Sequence, residues 1–407
     1  MATPEPPDAA GIVTRDAVYA AILREAAPIA DLSLALDAEL SASALLGGVY
    51  TTADIDRDGA VRQFATDFAD YLTREGGPRA DAVRATLASL LPAEIPARSI
   101  DQPAWASSLG RVVCTGTWRV HDTYGDQSTY VVTFQYADPA TGGPDHAVSY
   151  LIDHNLRQLK SIWISAPAQH VLDSWRSEAD ADPRVVMEDA APARVRGVIM
   201  ECLRRTDALV EPPSEEYPEQ RAFGIARLGL LPEPSEPVFP GLSNAARDTI
   251  VADFLESPES AAIGDPNTRP TTDVIAWGAR AAVDYAVDDN SGDPLRWSPT
   301  AVKLMLLDWA PRQLSRTHRA APWLPEVLDA FVAYAGRRKR LPGEAVAATQ
   351  DAITAVAAEY TDLMTGEVLE EPVLDILARL VADGVDPMDE DAVLRWVIAD
   401  RKRRGLS

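Results

Sequence analysis

Apolar positions early in the chain recur at helical spacing. Val61, Phe64, Phe68 and Leu72 stand at i, i+3, i+7 and i+11, which predicts a helix over about Ala60–Arg74. Thr14 is placed to cap an earlier helix carrying Ala17, Ala20, Ile22 and Leu23. A second apolar stretch fills Leu32–Leu46, and Gly47-Gly48 is expected to stop it. Gly76-Gly77-Pro78 separates the Val61 helix from another over about Ala80–Leu91, which ends before Pro92.

From Leu109 the period falls to two. Val112, Cys114, Trp118 and Val120 alternate with Val113, Thr115, Thr117 and Arg119, and Tyr130, Val132, Phe134 and Tyr136 alternate with Val131, Thr133 and Gln135. Polar turns at 138–145 and at His154-Asn155 lead to two more runs, His146–Asp153 and Leu159–Ser165. Four β-rich runs over about 110–165 predict a four-stranded antiparallel β-meander, with neighbouring helices to cover a face.

Helical spacing returns near Ala168–Ser177 and near Ala193–Leu209, where Val195, Val198, Ile199, Cys202 and Leu203 share a stripe. Residues 211–240 are dense in proline, which denies them long helices or central strands, with one short amphipathic piece at Ala222–Leu231. After Ser243 every strong pattern is helical. Ser298-Pro299 starts the central helix of Val302, Leu304, Met305, Leu306, Leu307 and Trp309, and the last helices are expected at Leu374–Val381 and Val393–Ile398. The expected fold class is α+β: N-terminal helices with the meander, then an all-α C-terminal domain. Its divisions are a disordered tail at 1–12, the helical region with the meander at 13–210, a Pro-rich linker or strap at 211–242, and the all-α domain at 243–407.

Composition narrows the function. The chain has 407 residues, with 62 acidic and 38 basic side chains and a net charge of −24. That charge repels phosphate backbones and anionic lipid, so neither nucleic acid nor a membrane is the expected partner. Two cysteines in distant segments, Cys114 and Cys202, give no disulfide framework. Residues 1–11 have no basic or apolar stretch of the kind a signal peptide needs, so the expected location is the cytoplasm. Phosphate-binding, dinucleotide, zincin and nucleophile-elbow motifs are absent, and no cofactor is implied.

Four constellations remain. Asp54, Asp56 and Asp58, followed by Gly59, match the start of a calcium loop, but position twelve is Ala65 and Asp67 comes two residues late. The simpler reading has Asp58 capping the next helix. In an up-down meander His121 and His154 share one rim, while His146 lies ~25 Å away at the other end of its strand. His121, Asp122, Asp153 and His154 at that rim are residue types able to bind a metal or act as a general base; hairpin ends also favour Asp, His and Asn for their local hydrogen bonds. The tryptophans fall at strand and helix spacing and read as core anchors. Arg337-Arg338-Lys339-Arg340 and Arg401-Lys402-Arg403-Arg404 end helices, where the helix dipole favours cations.

Trp297-Ser298-Pro299 through Leu307-Asp308-Trp309-Ala310-Pro311-Arg312, taken with Ala147–Asp153 and His154-Asn155-Leu156, resembles a group of uncharacterised actinobacterial proteins of similar length. The resemblance implies a shared architecture and an actinobacterial source, and no activity. The leading expectation is a non-enzymatic, acidic cytoplasmic protein that binds another protein, or a second copy of itself, through its helical domain or an open sheet face. A metal-dependent enzyme at the sheet rim and a calcium-responsive regulator are the alternatives.

Overall fold

Thr14 caps the first helix, its hydroxyl accepting from the Ala17 amide at 3.3 Å. The computed structural model describes residues 14–98, 100, 103–264 and 269–365, and scattered positions between 379 and 399. The expected tail at 1–12, the basic run Arg401–Arg404 and most of the last two expected helices lie outside the described residues. Helices α1 (Arg15–Ala26), α2 (Ala35–Thr52), α3 (Arg57–Glu75) and α4 (Pro78–Leu90) lead the chain. Gly47-Gly48 does not end the second of them, because α2 continues to Thr52.

The meander follows as β1 (Val112–Asp122), β2 (Gln127–Tyr136), a one-turn helix α5 (Pro139–Gly142), β3 (His146–Asp153) and β4 (Gln158–Ser165). The sheet has five strands rather than the expected four, in the order β4-β3-β2-β1-β5. The added strand β5 (Val185–Asp189) pairs antiparallel with β1. It follows helix α6 (Ala168–Ala181) and precedes α7 (Pro192–Asp207), and its five residues are too few to display an alternation of their own. Within the proline-rich stretch lies a full helix, α8 (Tyr217–Leu228), with Pro218 in its first turn, where no intrahelical amide is lost.

Strand alternation sends Tyr130, Val132, Phe134, Val148, Tyr150, Ile152, Leu159 and Ile162 to one face of the sheet. There they join α1–α4, α7 and α8 in one apolar core. α8 locks onto that core by close approach. A Cβ at Gly47 would stand 2.6 Å from the Pro218 carbonyl oxygen, and the buried Ser43 hydroxyl accepts from the Phe223 amide at 3.0 Å. The opposite face carries much less. Val131 and Ala147 meet Ala168 and Leu172 of α6, with Trp118, Trp175 and Met187 at the margin.

The remaining helices are α9 (Asn244–Leu255), α10 (Pro258–Ala261), α11 (Thr272–Asp284), α12 (Pro299–Leu304), α13 (Ala310–Gln313), α14 (Leu324–Lys339) and α15 (Gly343–Thr365). Two π-helical turns, Tyr285–Asp289 and Met305–Trp309, extend α11 and α12. These helices form a second core around Phe254, Trp297, Val302, Met305, Leu306 and Phe331. Ser298 caps α12 by accepting from the Ala301 amide at 3.0 Å. Among the described residues no helix is long and apolar enough to cross a membrane.

Candidate functional site

The sparsely covered sheet face ends in a cavity of about 460 Å³ between the strand ends, α6 and the start of α12. Val120, Thr129, Leu151 and Val185 line its sheet side, Trp175 and Glu178 come from α6, and Thr300 comes from α12. Cross-strand register explains the arrangement. Val120 pairs with Thr129, Thr129 with Leu151, and Gln127 with Asp153, which places these residues in rows on one face.

Three of the four rim residues border this cavity: His121, Asp122 and Asp153. Adjacent strand residues point to opposite faces, so His121 and Asp122 diverge even though they are neighbours in sequence. His121 lies opposite Ser128, and the Ser128 hydroxyl meets His154 Nε2 at 2.9 Å. His154 is buried and does not line the cavity; burial, then the charges of Arg296 and Arg119, push its imidazole down to about 3. Each carboxylate also closes its own turn. Asp122 Oδ1 accepts from the Gly125 and Asp126 amides at 2.5 and 3.2 Å, and Asp153 Oδ1 from the Asn155 and Leu156 amides at 2.9 and 3.2 Å. His121 Nδ1 lies 2.8 Å from the Asp122 carbonyl oxygen. Among the described residues no three His, Cys, Asp or Glu side chains are grouped to hold a metal ion.

The acidic loop disperses in the same way. Asp56, not Asp58, caps α3: it sits in the left-handed region at φ 45° and accepts from the Gly59 amide at 3.0 Å. Gly59 leaves room for this cap, since a Cβ there would press on the Asp56 carboxylate and displace it. Asp58 turns inward, its Oδ1 2.6 Å from Arg221 and its Oδ2 2.7 Å from Arg62, while Asp54 is exposed.

Beside the cavity the two cores are joined by polar side chains. Arg296 donates to Asp126 at 2.6 Å and to Asn155 at 2.7 Å, and Asn155 also accepts from Asn290 at 3.2 Å. Arg157, held at φ 51°, donates to the carbonyls of Val287 and Asn290 at the end of the first π-helical turn. These groups tie the β1–β2 and β3–β4 turns to the helical half, and the cavity opens where they meet.

A second polar cluster lies inside the first core and has no opening. Arg227 of α8 donates to Glu39 of α2 at 2.5 Å, to the Tyr136 hydroxyl at 2.7 Å and, through Nε, to His146 Nε2 at 3.1 Å. His146 Nε2 is therefore the acceptor, and Nδ1 carries the proton facing the Pro144 carbonyl oxygen at 3.4 Å. Glu39 and His146 are fully buried. Burial first and the Arg227 charge second push His146 down to about 3, and burial raises the Tyr136 hydroxyl well above its ordinary range. Nothing in the sequence marked this cluster: its members sit on four elements, and only packing brings them together.

The remaining candidates are occupied by neighbours. Arg337, Arg338 and Lys339 at the end of α14 pair with Glu259, Asp253 and Asp293. Trp105 and Trp297 are buried core anchors. Comparison with protein-family models, curated proteins and solved structures finds no match to this chain.

Proposed function

We propose that this protein is a non-enzymatic binding protein of the cytoplasm, and that it docks a protein partner on the α6-side face of its sheet, at the cavity between α6 and α12. The observation that carries the reading is the contrast between the two sheet faces. One is sealed by six helices around an apolar core, while the other leaves Leu151, Val185 and Trp175 half-exposed beside a 460 Å³ cavity. A partly apolar concavity rimmed by polar groups is the usual form of a docking site. The ionisable groups around it support binding rather than proton transfer, because Asp122, Asp153 and His154 each satisfy a local structural bond.

A photo-crosslinker at the exposed Gln127, on the cavity wall, tests this in lysate of the source cells, with one at exposed Val18 of α1 as control. The expected result is a discrete protein adduct from position 127 only, lost when Leu151→Arg fills the cavity. A 127 adduct indifferent to Leu151→Arg, or no adduct, overturns the reading. An adduct of twice the chain's mass assigns the face to a second copy.

A metal-dependent site at the rim is the second reading: His121, Asp122 and Asp153 border one cavity, although no three such side chains among the described residues are grouped to hold an ion. Here the measurement is zinc and manganese titration with calorimetry, using Asp122→Asn with Asp153→Asn as control. Stoichiometric binding lost in the control would establish it, and no binding ends it.

A further inference from the structure

The sheet has two edges, and they are built differently. β5 is five residues long and carries exposed Glu188 and Asp189, features that discourage a further strand. β4 is eight residues long, and its second half, residues 161–165, carries no charge. Register fixes which of its backbone groups point outward. The His154 amide donates to the Asp126 carbonyl at 2.8 Å, so the alternate β3 residues Ile152, Tyr150 and Val148 also turn their backbone to β2. Leu159, Ile162 and Ile164 stand opposite these three and turn their own amides and carbonyls away from β3. Leu159 is capped there, since the Thr206 hydroxyl accepts from its amide at 2.8 Å and donates to its carbonyl at 3.1 Å. No described group outside the sheet bonds the backbone of Ile162 or Ile164.

Beside this edge runs a groove of about 470 Å³. Ile162, Trp163 and Ile164 all border it, although successive strand side chains point to opposite faces, so the groove follows the edge itself. Leu34, Leu36 and Leu40, at and within the start of α2, form apolar walls, and Glu216 and Gln220 come from the start of α8. Ile162 is buried and Ile164 half-buried, and buried backbone groups are nearly always bonded. Gln220 adds another unmet group on the same wall, for its Oε1 is buried and accepts from no described donor. Alternating N–H and C=O groups on an extended backbone are what such an edge pairs with. Charge selects among the possible occupants. The charged residues of the groove, Asp37 and Glu216, are both acidic and exposed. A second copy joined edge to edge about a two-fold axis would bring these carboxylates toward their own equivalents, between chains of net charge −24. A basic segment meets attraction instead.

We propose that the β4 edge takes up an extended segment of a partner protein as a sixth strand. Its backbone pairs with Ile162 and Ile164, its apolar side chains enter the groove against Leu34 and Leu40, and a flanking lysine or arginine meets Asp37 and Glu216. This is a second surface, separate from the α6-side face, and it stands or falls independently of docking there.

The test titrates the full chain with the blocked peptide acetyl-Lys-Val-Thr-Val-Thr-Val-Lys-amide, read from the backbone amide resonances of Ile162 and Ile164. One control peptide is N-methylated at its central three residues, which keeps the side chains and removes the pairing amides. A second control replaces both lysines with glutamate. The expected result is saturable shifts and slowed exchange of both amides with the first peptide. Binding of the N-methylated peptide should be weaker by about tenfold or more, and that of the glutamate peptide by about fivefold. Ile164→Pro removes an outward edge amide at a position where proline is tolerated, and should weaken the first peptide by about fivefold with melting unchanged. Leu40→Glu, which alters the groove and not the strand, should weaken it as well. Equal affinity for the N-methylated or the glutamate peptide, shifts confined to other segments, or no saturable shift up to the solubility limit overturns the proposal. So does a dimer in sedimentation analysis that Ile164→Pro abolishes, since it assigns the edge to a second copy.

Discussion

Replacing Arg227 with methionine leaves the fully buried Glu39 carboxyl without its cation. Breaking one side of a buried pair costs about 3–5 kcal/mol, whereas replacing both partners by apolar groups is often close to neutral. Arg227→Met should therefore lose roughly that amount in urea unfolding, and Glu39→Leu added to it should recover most of the loss. Recovery of less than about half would show that the pair contributes net stability. His146 and His154 make a further prediction at this scale. Both are held down to about 3 in the fold, against about 6.5 when unfolded. The unfolded chain thus binds more protons below pH 6.5, and stability, complete above that value, falls as pH drops toward 3. Each histidine contributes a slope of up to about 1.4 kcal/mol per pH unit. Between pH 6 and about 4.5, before carboxylates contribute strongly, unfolding free energy should fall along that slope, and His154→Asn should shallow it by roughly half. A flat profile over that window would contradict the buried, neutral histidines.

Two neighbouring glycines separate packing from propensity within one element. Gly47 faces the Pro218 backbone at 2.6 Å, whereas nothing lies within 4 Å of a Cβ at Gly48. Gly47→Ala should force α2 and α8 apart and cost about 1–3 kcal/mol. Gly48→Ala, exposed within the same helix, should stabilise by up to about 1 kcal/mol. Equal effects in thermal melts would mean that α8 does not press on α2 at this point. The pair also shows why the sequence misplaced the helix end. A Gly-Gly step reads locally as a stop, and only the approach of a helix some 170 residues later makes it a contact surface. The same holds for β5, whose pairing with β1 is settled by tertiary position, and for Asp56 and Asp58, which exchange roles because Arg221 arrives from α8 to claim Asp58. By contrast, the period-two runs of β1 to β4 and the Ser298-Pro299 start of α12 were legible, because alternation and capping are local.

Across the whole molecule, two apolar cores meet through Arg157, Arg296, Asn155 and Asn290. If these groups couple the halves, Arg157→Met with Arg296→Met should split one calorimetric transition into two, one for each core. A single transition in both proteins would place the coupling elsewhere. The sequence did bring His121, Asp122 and Asp153 to one rim, since strand ends follow from the meander. It could not show that Asp122 and His121 face apart, that His154 is sealed against Ser128, or that α12 closes the far wall, because those depend on register and on the packing of one half against the other. The central claim concerns which face of this molecule meets its partner. Hydrogen exchange of the full chain, alone and in the complex isolated through the position-127 adduct and then re-formed without crosslinking, measures that footprint directly. Slower exchange confined to residues 120–129, 151–155 and 175–178 is the predicted result, and protection found only on the helical half, with these segments unchanged, would contradict it.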